Sequence, residues 1–178
     1  MPHLPSAQII SLGQQRPQIA ADAFIAPGAM IVGDVHIGAG ASVWFNCTLR
    51  ADVAPINVGS GANIQDGSVV HADPGYPTYI GEDVLIGHMA IVHGCTIGQG
   101  GFVGMGAIVL TGAVIESDAM LAAGALLTGG KTVGTRQLWA GRPAKYLRAL
   151  TDAELAEMQD GVAHYRRNAV HYRSAMSV

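Results

Sequence analysis

Three of the seven histidines lie close together in the chain, at His71, His88 and His93. They fall within the stretch VVHADPGYPTYIGEDVLIGHMAIVHGC, which covers residues 69–95. Neutral imidazole is a common metal ligand, and three histidines with an open fourth position are typical of catalytic zinc sites. The spacings of 17 and 5 residues match neither one face of a helix nor one strand. A metal site therefore requires a fold that brings distant turns of the chain together.

The composition limits the class of protein. At 178 residues the chain suits one domain with a substantial core. Charged residues make up only 13%, against roughly 25% in typical soluble domains, whereas the chain has 24 glycines. These values favour a regular, glycine-punctuated fold.

The same data bear on partners and compartment. The net charge is -3 and no basic stripe is present, so nucleic acid is not an expected partner. No apolar run approaches the roughly 20 residues of a membrane span, so we expect no membrane association. The N-terminus lacks a secretory pattern, which predicts a cytoplasmic protein. In that compartment Cys47 and Cys95 are expected to be small buried hydrophobic residues without a disulfide.

A six-residue repeat organises most of the chain. Aliphatic residues recur at steps of six from Ile19 to Val133, with a three-residue slip before Val58, an interruption at 72–79 and a one-residue deletion before Ile97. We expect the slip and the interruption to bulge out as loops. The pattern has no helical period, and many of these residues precede a glycine that permits a tight corner. Hexapeptide repeats predict a parallel β-helix, whereas a β-sandwich would show alternation. The repeats resemble the left-handed β-helix of the hexapeptide-repeat superfamily, in which three hexapeptides form one triangular coil.

The last part of the chain has a different character. We divide the chain into a β-helix domain with an N-terminal lead-in at 1–148 and a C-terminal α-helix at 149–178 that packs on the β-helix. The pattern predicts the helix itself over 151–173, beginning with a capping box at Thr151 and Glu154. Apolar residues then recur at steps of three and four, which gives one apolar face. They are Leu155, Met158, Val162, Tyr165, Ala169 and Tyr172.

The repeat predicts where the histidines lie. Positions three hexapeptides apart share one side of the triangle, one coil above another. Val70 and Val92 are related in this way and each precedes a histidine, so His71 and His93 should stack about 4.8 Å apart. Arg50 belongs to the same column. His88 falls on a neighbouring side, above Asp66.

One β-helix cannot bring all three histidines to one ion, but a second copy can. If three copies pack around a threefold axis, His71 and His93 of one copy face His88 of its neighbour. The alternative is that the histidines are ordinary surface residues. Polar residues clustered on the same coils favour the metal site, namely Arg50, Asp52, Asn63, Gln65 and Asp66.

Four segments, RAD, NIQDGSVVH, IGHMAIVHGC and WAGRPAK, resemble the γ-class carbonic anhydrase family over nearly the whole chain. The resemblance implies an all-β, left-handed parallel β-helix with a C-terminal α-helix, assembled as a homotrimer. It also implies a metal ion at each subunit interface, zinc with iron or cobalt as alternatives, and the ligands His71, His88 and His93.

Further roles follow from the same resemblance. The reaction it implies is the reversible hydration of carbon dioxide to bicarbonate. Gln65 and Asn63 correspond to polar residues beside the metal-bound water. The family's ion-pair group at the subunit boundary corresponds to Arg50, Asp52 and Asp66.

The chain departs from the family where protons are transferred. Val53 stands where the best-characterised members carry a glutamate, and the loop ADPGYPTY replaces an acidic loop. Asp73 and Tyr165 are the remaining candidates for proton transfer. Three alternatives stay open: weak turnover, a non-catalytic metal-binding protein, and an acyl-CoA-dependent acyltransferase that uses one histidine as a general base without a metal.

Overall fold

The computed structural model describes residues 6–176, so the ends of the two predicted regions, 1–5 and 177–178, lie outside the described residues. Within this range twenty strands precede one helix, α1 (Asp152–Met176). The strands are β1 (Gln8–Ile10), β2 (Gln18–Ile19), β3 (Phe24–Ile25), β4 (Met30–Ile37), β5 (Ser42–Val43), β6 (Thr48–Val58), β7 (Asn63–Ile64), β8 (Val69–His71), β9 (Thr78–Ile80), β10 (Leu85–Ile86), β11 (Ile91–His93), β12 (Thr96–Ile97), β13 (Phe102–Val103), β14 (Ile108–Val109), β15 (Val114–Ile115), β16 (Met120–Leu121), β17 (Leu126–Leu127), β18 (Thr132–Val133), β19 (Gln137–Gly141) and β20 (Ala144–Ala149).

The strands stack into a triangular parallel β-helix. Each repeat places one aliphatic side chain inside, and these residues pair in register from coil to coil, as in the column Leu49, Val70 and Val92. All three are fully buried in one continuous core. Stacking of this kind removes apolar surface from water along the whole axis. The predicted β-helix with a C-terminal helix is confirmed.

The three sides belong to two sheets. Strands β4 and β6 run around one corner, so two sides form a twelve-stranded sheet, and the third side is an eight-stranded sheet. The three-residue slip lies within this corner. It is a register shift between the pairs Gly33–Ala51 and Val35–Ile56 and not the loop that the repeat suggested, because β6 continues through it. Gly33 has a φ of 79°, and a Cβ there would lie 2.2 Å from the carbonyl oxygen of Ala51.

The second interruption is a loop, as predicted, but it ends earlier. Residues 72–77 leave the β-helix and β9 resumes at Thr78. Asp73 and Tyr76 close the loop by exchanging two backbone hydrogen bonds of 3.2 and 2.8 Å. The loop therefore holds Asp73 in a fixed place beside the coil of His71.

The helix covers the eight-stranded sheet. Its capping box is present, since Thr151 Oγ1 accepts a hydrogen bond from the Glu154 amide at 3.2 Å and a Glu154 carboxylate oxygen accepts one from the Thr151 amide at 2.9 Å. The helix packs on β3, β5, β7 and β10. Trp44 is central to that contact, with ring centroids 5.2 Å from both Tyr165 and Tyr172. No helix within 6–176 has the length and apolar character needed to span a bilayer.

The three sides present different surfaces. We call them the apolar side, the polar side and the helix side, the last being the eight-stranded sheet under α1. On the apolar side the outward residues before the core positions are Met30, Thr48, Val69, Ile91, Ile108 and Leu126. On the polar side they are Gln18, His36, Asn57, Tyr79, Thr96, Val114 and Thr132. Among these outward positions the apolar side exposes Met30, Val69 and Ile91, whereas the polar side exposes one large apolar ring, that of Tyr79.

We expect Thr151→Ala to destabilise the protein, because the amide of Glu154 loses its acceptor at the start of α1. The loss should be about 1 kcal/mol, the usual cost of removing an N-cap side chain. Urea unfolding followed by circular dichroism measures it. The exposed Thr132→Ala serves as the control, and an equal loss in both variants would contradict the capping role.

Candidate metal centre

His71 and His93 stack on the apolar side, as predicted. They end the paired strands β8 and β11 and are direct neighbours in register, with Arg50 of β6 below them. The ring centroids are 5.0 Å apart, and His71 Nδ1 lies 3.0 Å from His93 Nε2. Two ring nitrogens thus face each other at the surface of the β-helix.

The other nitrogen of His71 is bound to a carboxylate. His71 Nε2 lies 2.8 Å from Asp52 Oδ1, and because an ionised carboxylate only accepts, Nε2 carries the proton. This hydrogen bond is the principal cause that holds the pKa of Asp52 below its usual value. The remaining nitrogen of a neutral His71, Nδ1, therefore presents a lone pair.

The other nitrogen of His93 meets a hydroxyl. Thr111 Oγ1 lies 3.0 Å from His93 Nδ1 and donates its single proton to Asp73 Oδ2 at 2.7 Å. The hydroxyl can then only accept from His93, so Nδ1 is protonated and Nε2 has the lone pair. The facing nitrogens of His71 and His93 are both acceptors, a contact that needs a cation or a proton between them.

The pair fits one metal ion. Two nitrogens bound to a tetrahedral zinc at about 2.0–2.1 Å lie about 3.3 Å apart, close to the 3.0 Å separation of His71 Nδ1 and His93 Nε2. Both imidazoles also have the outer oxygen partner that metal-binding histidines usually have. Among residues 6–176, however, no three His, Cys, Asp or Glu side chains form a group able to hold a metal.

His88 lies elsewhere, at the edge of the helix side beyond β10. Its Nδ1 is 2.9 Å from Asp66 Oδ2, so the carboxylate again fixes the proton and leaves Nε2 as the acceptor. Tyr165 of α1 places its hydroxyl 3.4 Å from that Nε2. His88 therefore resembles His71 and His93 in having one ring nitrogen hydrogen-bonded to an oxygen and the other available as an acceptor. It lies on a different side of the β-helix. A cavity of about 440 Å³ under α1, near Asp83, includes none of the three histidines.

Asn63 and Gln65 flank the core residue Ile64 and are buried, with 1% and 4% of their surfaces exposed. Gln65 Nε2 donates to Asn63 Oδ1 at 3.1 Å. This leaves the Gln65 side-chain carbonyl free to accept, and Asn63 Nδ2 is buried without a partner. Buried unpaired donors are uncommon, which points to a ligand or a second chain there.

The remaining predicted residues divide between the two sides. Arg50 pairs with Asp52 on the apolar side, whereas Asp66 pairs with His88, so the predicted ion-pair group of Arg50, Asp52 and Asp66 is not assembled within one chain. Its pairing across a boundary stays a prediction. Tyr165 packs on Trp44 as well as reaching His88, and burial is the main cause that raises its pKa.

Both cysteines are free and buried, as expected from the sequence. Burial raises the pKa of each thiol to about 12. Cys47 Sγ donates to the backbone carbonyl of Gln65 at 3.0 Å. This contact ties Cys47 to the backbone of the coil that carries Asn63 and Gln65.

Comparisons with known proteins identify the family. Residues 16–51 match the family described as bacterial transferase hexapeptide (six repeats). The carbonic anhydrase of Geobacillus kaustophilus is 41% identical over 158 residues, which cover 89% of this chain and 87% of that protein. The chain belongs to the γ-carbonic anhydrase-like family of hexapeptide-repeat proteins. Membership of this family implies a metal cofactor.

Another curated relative and a solved structure are similar to this chain over most of its length. Gamma carbonic anhydrase 1, mitochondrial, of Arabidopsis thaliana is 44% identical over 163 residues, or 88% of this chain. The chain spans 59% of the length of that relative. A hexapeptide transferase family protein from Anaplasma phagocytophilum has the same fold, with a TM-score of 0.90, 47% identity and coverage of 93% of this chain and 98% of that one.

Thr111 is the site residue that sequence reasoning missed. It follows β14, which pairs with β11, so it lies one coil beyond His93. The residue that corresponds to His93 in that coil is Leu110, and Thr111 follows it. The signal in the sequence is a polar residue one coil beyond His93. Thr111 is neither a histidine nor a carboxylate, so it does not stand out as a metal-site residue.

We expect the carboxyl of Asp52 to titrate below its ordinary range in metal-free protein and to move upward in His71→Ala, which removes the principal hydrogen bond. Because the folded pKa is lowered, the stabilisation is present above the unfolded pKa and is lost as pH falls through the folded one. Carbon-13 NMR titration of the carboxyl measures both values. An identical pKa in the two proteins would contradict this assignment.

Proposed function

We propose that this protein catalyses the reversible hydration of carbon dioxide at a metal ion shared between two copies of the chain. His71 and His93 of one copy and His88 of its neighbour would hold the ion. The observation that carries the proposal is that two acceptor nitrogens, His71 Nδ1 and His93 Nε2, face each other 3.0 Å apart. The second nitrogen of each ring is already hydrogen-bonded to an oxygen. His88 supplies a third acceptor of the same kind.

A homotrimer is the assembly that we propose. His88 lies on a different side from the stacked pair, so a ring of copies in which each apolar side meets the helix-side edge of the next would complete every site. Head-to-tail contacts of this type close into rings when the rotation between neighbouring copies divides a full turn, and three copies would do so with a rotation of about 120°. The exposed side chains of Met30, Val69 and Ile91 support the proposal, because they leave an apolar surface beside His71 and His93. The polar side would remain in solvent.

Zinc is the metal that we propose, and neutral imidazoles also suit iron and cobalt. When bound, such an ion lowers the pKa of its water ligand to about 7 and so supplies hydroxide at neutral pH. The residues of the chain would orient the reactants. The side-chain carbonyl of Gln65 would accept a hydrogen bond from a hydroxyl group, and Asn63 Nδ2, which has no partner within the chain, would donate one to a substrate oxygen.

Proton release would limit the rate. Val53 has no proton to exchange, although it is 47% exposed beside Asp52. In the short loop, the Asp73 carboxylate is 44% exposed and remains the candidate shuttle, but it also accepts a hydrogen bond from Thr111. A small buffer base should therefore increase turnover.

We expect purified protein to contain about one metal ion per chain and to hydrate carbon dioxide, with turnover rising when imidazole buffer is added. His71→Ala, His88→Ala and His93→Ala should each lose the metal and the activity, because three-ligand binding becomes two-ligand binding. Elemental analysis and stopped-flow hydration, after aerobic and anaerobic purification, test this.

His164→Ala, at an exposed histidine on α1, is the matched control and should keep both properties. Protein that stays inactive after zinc, iron or cobalt is supplied would contradict the proposal. Thermal stabilisation by CoA in metal-free protein would instead indicate an acyltransferase. Full metal occupancy with no hydration would indicate a metal-binding protein without this activity.

Mixed trimers test the sharing of the site. When His88→Ala and His71→Ala chains are refolded together in equal amounts, about a quarter of the sites should recover metal, because one arrangement in each mixed ring is intact. A mixture of His71→Ala and His93→Ala chains should recover none, since both changes affect the same side. Equal metal contents in the two mixtures would overturn the shared site.

A further inference from the structure

Thr111 links two residues that the sequence leaves unrelated. It follows β14, is half-buried, and lies between His93 Nδ1 at 3.0 Å and Asp73 Oδ2 at 2.7 Å. The carboxylate is 3.6 Å from His93 Nδ1, beyond the usual range of a direct hydrogen bond. The hydroxyl therefore mediates the contact between the loop and the histidine.

The number of protons decides the direction of this chain of hydrogen bonds. A hydroxyl has one proton, and the carboxylate is an acceptor only, so the proton of Thr111 goes to Asp73. The oxygen then accepts from His93. With the proton held on Nδ1, the lone pair is on Nε2, the nitrogen that faces His71.

The loop that carries Asp73 is built to stay in place. The Tyr76 side chain lies against Gly94 and Gly112, where an added Cβ would be 3.3 Å from the Tyr76 Cβ and 3.5 Å from its ring Cε1. Thr78 Oγ1 accepts from the Gly94 amide at 2.9 Å and donates to the carbonyl of His71. The short loop is thereby fixed to the coils of both stacked histidines.

We propose that Thr111, oriented by Asp73, is a positioning residue that fixes the tautomer and ring orientation of His93 so that Nε2 is available to the metal. This inference rests on the proposed function for its metal. The short loop would then have a second role beside proton transfer, because its Asp73 would orient Thr111 and through it the ligand His93. Partners of this kind, one shell outside the metal, typically change metal affinity by about 10- to 100-fold when removed.

The test compares Thr111→Val, which has nearly the same shape without the hydroxyl, with Thr111→Ser, which retains it. Zinc affinity is measured by competition with a chromophoric chelator on trimers of unchanged circular dichroism. We expect Thr111→Val to bind zinc about 10- to 100-fold more weakly, and Thr111→Ser to bind within a few-fold of the unaltered protein. Thr132→Val, on the exposed polar side, should bind unchanged.

A second measurement needs no metal. Nitrogen-15 chemical shifts of His93 in chelator-treated protein should show a protonated Nδ1, and Thr111→Val or Asp73→Ala should shift the tautomer population toward protonated Nε2. Equal zinc affinities for Thr111→Val and the unaltered protein, or an unchanged tautomer in both variants, would overturn the inference. Unaltered protein that binds no zinc would overturn the proposed function instead, while the tautomer measurement would still decide the role of Thr111.

Discussion

Coil-on-coil stacking is the constraint on which the rest of the structure depends. Each inward aliphatic residue pairs in register with the one a coil away, and neighbouring strands in a sheet lie about 4.8 Å apart. Leu49, Val70 and Val92 obey this rule because any change of register would expose the core. The residues that follow them inherit the same spacing. This is how His71 and His93 reach a nitrogen separation of 3.0 Å without any dedicated loop or helix.

The hydrogen-bond acceptor beside each imidazole determines which of its two nitrogens is available to a metal. Asp52, Asp66 and the pair of Thr111 with Asp73 each accept a hydrogen bond from the N–H of one ring nitrogen and leave the other nitrogen as an acceptor. The β-helix positions the rings, and these neighbouring oxygens decide which atom each ring presents. The tautomer of each histidine, and hence the nitrogen that it offers to a metal, thus depends on side chains that are not themselves ligands.

The sequence predicted what depends on the repeat. The stacking of His71 on His93, the place of His88 above Asp66 and the capping box at Thr151 all follow from local spacing, and the structure shows each of them. The continuous strand β6 was not predicted, because the register shift after Gly33 depends on a backbone contact with Ala51 that no periodicity reveals. Thr111 was missed for a similar reason: its partner Asp73 is 38 residues away and reaches it only through the folded loop.

The end of the eight-stranded sheet has a consequence for solubility. A stack of identical parallel coils invites another molecule to add one more, which would give fibres. Here β20 turns back antiparallel to β19, so the last strand runs against the direction of every coil before it. That strand also carries the exposed cations Lys145 and Arg148. An incoming parallel strand would meet the wrong polarity and the positive charge of Lys145, since the Arg148 guanidinium is already paired with Glu154. The hairpin therefore ends the stack of coils on the helix side.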